Sequence, residues 1–111
     1  MSNRVGPVIM GHPIARACLE SAGRVYSFRT SNRTTGNTHY RYKRTGTKVG
    51  DVTIKQVTDE TLPTHEALEP YRMLSGFSST GEWREAIADV HGDTETPGYV
   101  YQIDIVRGDD E

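Results

Sequence analysis

Hydrophobic and polar residues alternate along four stretches of the chain, and this period of two predicts four β-strands. The predicted strands cover residues 24–30, 38–43, 52–57 and 99–106. In the first strand, the alternation places Tyr26 and Phe28 on one face and Ser27 and Arg29 on the other. We expect the apolar faces of these strands to pack together in a core.

Helical spacing of apolar residues predicts a first helix over residues 13–21. Pro13 suits the first helical position, and Gly23 suits the residue that ends the helix. The segment 64–74 is ambiguous, because its composition favours a helix but Pro70 interrupts it.

A second helix is predicted over residues 82–90, where four apolar residues recur at helical spacing. These residues are Trp83, Ala86, Ile87 and Val90. Ser79 and Glu82 form a candidate capping box, and Gly92 follows the last turn. We take Trp83 to be a core residue.

The order of the elements is a helix, three strands, helical segments and a last strand. It predicts an α+β fold in which a small, mostly antiparallel sheet curls into a β-barrel with covering helices. We expect residues 1–107 to form one domain and residues 108–111 to form an acidic tail. We expect one shared core that contains Tyr26, Phe28, Val52, Ile54, Trp83, Ile87, Tyr101 and Ile103.

The composition argues against a membrane-spanning, secreted, disulfide-bonded or metal-binding protein. The 111 residues are 34% hydrophobic, contain no run of 18 apolar residues and begin without the apolar core of a signal peptide. We therefore expect a cytoplasmic protein without a membrane span. The lone Cys18 excludes an internal disulfide, and the four scattered histidines lack the spacing of metal ligands. No cofactor or metal is expected.

Charge is distributed unevenly along the chain. Residues 1–50 carry nine basic residues and one acid, for a net charge of +8, whereas residues 51–111 sum to −10. The acid-free stretch 21–50 also contains the aromatic residues Tyr26, Phe28, Tyr40 and Tyr42. Cations near aromatic rings are typical of surfaces that bind single-stranded nucleic acid. The alternative is that the two halves neutralise each other, within one chain or between two copies.

Four short motifs, taken together, resemble one known family. Residues 22–29 read Ala-Gly-Arg-Val-Tyr-Ser-Phe-Arg, similar to the Gly-x-Lys-x-x-Glu-x-Arg signature of ASCH domains, which are small members of the PUA-like β-barrel superfamily. The Gly-Asp pair at 50–51, the Gly-Phe segment at 75–79 and the closing strand at 98–103 are also similar to that family. The likeness spans about residues 8–107 and implies a PUA-like barrel.

The resemblance implies that the chain binds nucleic acid, RNA rather than DNA, in a cleft beside the signature strand. Together with the basic stretch, it gives the candidate binding residues Arg24, Ser27, Arg29, Arg33, His39, Arg41, Lys43, Arg44, Lys48 and Lys55. Two alternatives stay open. Arg29 either binds a phosphate or base edge or pairs with an acid such as Asp51, and Tyr40 and Tyr42 either stack on bases or belong to the core.

Some members of the family are amidohydrolases that act on acetylated cytidine through a Lys, a Thr and a Glu. In this chain Arg24, Ser27 and Lys55 fall at those positions. A guanidinium stays protonated and cannot act as a base, and Lys55 replaces the carboxylate that would activate Ser27. Arg24 and Ser27 are therefore the catalytic candidates if the chain is an enzyme, but we expect binding without hydrolysis.

Overall fold

A computed structural model describes residues 7–30, 35–43 and 45–106. The strands are β1 (Val8–Ile9), β2 (Arg24–Arg29), β3 (Gly36–Arg41), β4 (Gly50–Gln56) and β5 (Tyr99–Ile105). The helices are α1 (Pro13–Ala22), α2 (His65–Leu68) and α3 (Thr80–His91), with a 3₁₀ helix at Glu69–Leu74. The candidate residues Arg33 and Arg44 and the tail 108–111 lie outside the described residues.

The five strands form one mixed sheet in the order β1-β3-β4-β5-β2. β1 is parallel to β3, and the other three pairings are antiparallel. The sheet curls into a half-barrel that the helices cover, so the α+β expectation is confirmed at this level. The two-residue β1 was not predicted, because two residues cannot show an alternation. Among the helices of the described residues, none is long and apolar enough to cross a membrane.

Local capping bonds fix both predicted helices. Gly23 ends α1 with φ 81° and donates its N–H to the Leu19 carbonyl at 2.8 Å. The Ser79 hydroxyl accepts the Glu82 N–H at 3.1 Å where α3 begins, and Gly92 ends α3 with φ 94°. Both helices are therefore where the sequence predicts them, one to three residues longer.

The apolar residues form two cores on opposite faces of the sheet, and the prediction of a single core is wrong. On the face covered by α1, here the α1 face, the buried cluster is Val8, Met10, Leu19, Val25, Tyr40, Val52, Ile54, Tyr101 and Ile103. On the opposite, α3 face, it is Phe28, Leu68, Phe77, Trp83, Ala86, Ile87 and Val100. Because helices cover both faces, β2 and β5 carry apolar residues at odd and even positions, and the alternation does not show which core each residue joins.

Candidate functional site

A cleft of about 460 Å³ opens where the half-barrel fails to close, between its edge strands β1 and β2 and beside α3. We call it the seam cleft. Its lining comprises residues 9–13, Ala15, residues 26–29, Phe77, Trp83, Ala86, Ile87, Val90 and His91. Of the predicted binding residues that the structure describes, only Ser27 and Arg29 lie in it. The cleft lies beside the strand that carries the signature-like residues.

Arg29 spans the seam between the two edge strands. Its Nη2 atom donates to the Ile9 carbonyl of β1 at 3.4 Å and lies 3.7 Å from the Met10 sulfur. Asp51, the acid considered for Arg29, instead pairs with Lys48 at 2.8 Å. Arg29 therefore belongs to the cleft, where its guanidinium is held by the main chain of the opposite strand.

The aromatic wall of the cleft was missed as a functional feature, because its members come from distant parts of the chain. The rings of Phe77 and Trp83 stack with centroids 6.4 Å apart and planes 14° apart, and the His12 ring meets Phe77 edge-on at 5.2 Å. Gly76 makes this arrangement possible. Its φ is 93°, and a Cβ there would lie 2.7 Å from the Ile14 carbonyl oxygen, so only glycine lets the turn pack against α1.

His12 has a second role at the start of α1. Its Nδ1 atom accepts the Ile14 N–H at 3.3 Å, so the side chain caps the helix while its ring lines the cleft. This bond requires an unprotonated Nδ1. In the sequence His12 was only one of four scattered histidines, and neither role was predicted.

Ser27 does not have the surroundings of an activated nucleophile. Its directly opposite partner on β5 is Tyr101, and no carboxylate of the described residues hydrogen-bonds to its hydroxyl. Lys55 pairs in register with Gln102, which places it on the α3 face, whereas Ser27 points to the α1 face. The structure therefore does not bring Ser27 and Lys55 together.

Arg24 lies outside the seam cleft, although it is on the same strand as Arg29. Its Nε atom donates to Asp104 of β5 at 2.5 Å, and this carboxylate raises the pKa of Arg24, so the guanidinium stays protonated. Gln102 donates to the second Asp104 oxygen at 2.8 Å and accepts the Tyr26 hydroxyl at 3.3 Å. Arg24 therefore does not line the cleft, whereas Ser27 and Arg29 do.

The other described basic candidates spread over the surface. On the α3 face of β3, the Arg41 Nε donates to the His39 Nε2 at 3.2 Å. Lys48 is paired with Asp51, and Lys43 and Lys55 are exposed. The acid-free stretch of sequence is thus partly neutralised by acids from other strands.

Tyr40 and Tyr42 bind α1 rather than presenting their faces for stacking. Both hydroxyls donate to one Glu20 oxygen, at 2.9 Å and 2.7 Å, and the Arg16 guanidinium lies 4.3 Å from the Tyr42 ring centroid. Tyr40 is 4% exposed and belongs to the core, whereas Tyr42 is 42% exposed and follows the end of β3. Burial and then the bond to Glu20 raise the pKa of Tyr40 to about 12.

No cluster of three or more potential metal ligands occurs within residues 7–30, 35–43 and 45–106. Comparison of the chain with family models, with curated proteins and with solved structures finds no match.

Proposed function

We propose that this chain is an ASCH-like module with a PUA-like half-barrel that binds single-stranded nucleic acid, RNA rather than DNA, by placing an unpaired base in the seam cleft. A half-barrel of five strands covered by helices is compatible with this fold. The signature-like residues of β2 line the cleft from 26 to 29.

The combination of apolar walls and one fixed guanidinium in the seam cleft carries the proposal. A nucleobase has two apolar faces and a polar edge, so it needs both kinds of surface. Trp83 and Ile87 supply an apolar wall, and Arg29 supplies a cation next to it. The volume of about 460 Å³ falls within the range of pockets that bury small organic ligands.

Basic residues near the cleft support the proposal, because they can bind phosphates of the same RNA strand. Arg41 is the register partner of Ile9, so it lies next to the β1 wall, and the exposed Lys43 follows two residues later. Lys55 extends the basic surface on the α3 face. Arg24 and Lys48 lie outside the cleft lining and pair with Asp104 and Asp51.

A titration of the full chain with a short single-stranded RNA at several salt concentrations tests this function. Three to five phosphate contacts give a slope of about −2 to −4 in a plot of log affinity against log salt. A single-stranded DNA of the same sequence measures the expected preference for RNA. A flat salt response, or no binding at low salt, would contradict the proposal and favour charge-driven docking of two copies.

The amidohydrolase alternative finds no support in the seam cleft. Hydrolysis requires a base within hydrogen-bond reach of the nucleophile, and Ser27 faces Tyr101 rather than an acid. Arg24 points to the other face of the sheet and is bound to Asp104. Binding without covalent chemistry is therefore the proposed role.

A further inference from the structure

The seam cleft contains an open strand edge. The Ile105 N–H donates to the Gly23 carbonyl at 2.9 Å, and these residues are opposite each other in the β2–β5 register. Because hydrogen-bonded pairs alternate along an antiparallel ladder, residues 25, 27 and 29 direct their backbone groups to β5. The N–H and C=O groups of Tyr26 and Phe28 therefore point away from β5, towards the seam.

This open edge is only two residues long. At its start, the Cys18 thiol donates to the Arg24 carbonyl at 3.5 Å, so α1 covers that position. At its end, β2 stops at Arg29. No described residue hydrogen-bonds to the outward backbone groups of Tyr26 or Phe28, although Phe28 is buried. Backbone groups in such a position take water or a bound ligand as their partner, and a ligand in the cleft can replace the water.

We propose that the main chain of Tyr26 and Phe28 reads the hydrogen-bonding edge of the bound base. This inference rests on the proposed function and specifies how the ligand is recognised. Each of the two residues presents one donor and one acceptor on the same side of the strand. The complementary ligand is a planar heterocycle that carries an N–H group next to an oxygen or nitrogen acceptor.

The length of the edge favours a base over an extended peptide. A peptide that adds to a sheet edge gains its affinity from a row of main-chain bonds, and two residues offer only a short row. A heterocycle needs a single donor–acceptor edge and two apolar faces. Phe77 and Trp83, with their stacked rings, line the same cleft.

A ligand pair that differs in one N–H group tests the proposal. Oligouridine and oligo-3-methyluridine carry the same charge, but the methyl group removes the donor between the two carbonyl groups of the base. We expect the methylated oligomer to bind roughly 5- to 150-fold more weakly, the range for losing a bidentate contact. Equal affinity for the two oligomers overturns the inference.

Amide hydrogen exchange with the unmodified oligomer locates the contact. The amides of Tyr26 and Phe28 are expected to gain protection on binding, whereas those of Val25 and Ser27, already bonded to β5, serve as internal controls. No added protection at Tyr26 and Phe28 in a saturated complex overturns the inference.

These experiments distinguish nucleic-acid binding from recognition of the base by the strand edge. If both oligomers bind with the same affinity and a steep salt dependence, the proposed function stands. Only the recognition of the base by the strand edge is then overturned. No binding of either oligomer at low salt removes both. Protection of Tyr26 and Phe28 by a short extended peptide, with no effect of the oligomers, also removes both and identifies the edge as a peptide site.

Discussion

The seam cleft and the Arg24–Asp104 pair on the α3 face use arginine in two different ways, although both arginines come from β2. On the α3 face, Arg24 is bound to Asp104, which also holds Gln102. In the cleft, Arg29 is bound to the Ile9 carbonyl among apolar walls. The carboxylate of Asp104 neutralises Arg24 within the fold, whereas the Arg29 guanidinium lies at the wall of a cavity.

The ion pairs within the fold account for part of the uneven charge along the chain. Arg24 and Asp104 are 80 residues apart in sequence but are paired across two neighbouring strands. Lys48 and Asp51 are likewise paired. Part of the +8 and −10 of the two halves is therefore internal neutralisation, and the case for a nucleic-acid site depends on a smaller set of residues around the cleft.

The largest expected effect is a loss of stability when the core behind one wall of the cleft is disrupted. Trp83 is 3% exposed, so Trp83→Ala should cost roughly 3–5 kcal/mol of unfolding free energy, close to the whole stability of a small domain. Val90→Ala is the matched control, because Val90 is on the same helix but is 66% exposed. Denaturant unfolding measures both. A Trp83→Ala variant that melts within a degree or two of the parent would contradict this placement of α3.

The two arginines of β2 provide a direct test of the comparison itself. Arg29→Ala should weaken RNA binding about 10- to 100-fold, since hydrogen bonds to a charged group contribute roughly 1.5–3 kcal/mol. Arg24→Ala should change it by less than about threefold, because that side chain is already paired outside the cleft. Affinity measured at one salt concentration, with thermal melts of both variants, is sufficient. Equal losses would show that the region around the Arg24–Asp104 pair binds the RNA as well.

A smaller loss of stability is expected at high pH, where Tyr40 on the α1 face ionises. The folded pKa of Tyr40, about 12, lies above the ordinary value of 10, because the neutral phenol is buried and bonded to Glu20. Its contribution to stability is therefore complete below pH 10 and is lost as the pH rises towards 12. Tyrosine absorbance during an alkaline titration should lose its latest-ionising component in Tyr40→Phe. A parent protein whose tyrosines all ionise near pH 10 would rule this out.

The last prediction concerns hydrolysis of acetylated cytidine. Arg24 cannot accept a proton, and Ser27 has no carboxylate partner among the described residues. We expect no hydrolysis and no gain as the pH rises through neutrality, as measured by chromatography of the nucleoside. Turnover that disappears in Ser27→Ala would overturn the assignment of this cleft to binding alone.

The sequence by itself determined the elements whose signals are local. The bounds of α1 and α3 follow from Gly23, Ser79 and Gly92, since capping bonds join residues only three or four positions apart. The four longer strands follow from alternation to within two residues at each end. The uncertainty over residues 64–74 was also local, and the structure resolves it into a four-residue helix followed by a 3₁₀ helix that begins near Pro70.

Only the tertiary structure decided how these elements combine. Alternation shows that Tyr26 and Ser27 face opposite ways but not which core each side meets, because that depends on which helix covers which face. The partners of Arg24 and Arg29 depend on register and on β1, which has no signal of its own. The seam cleft combines residues 9–13, 26–29 and 77–91, which become neighbours only because the sheet curls without closing.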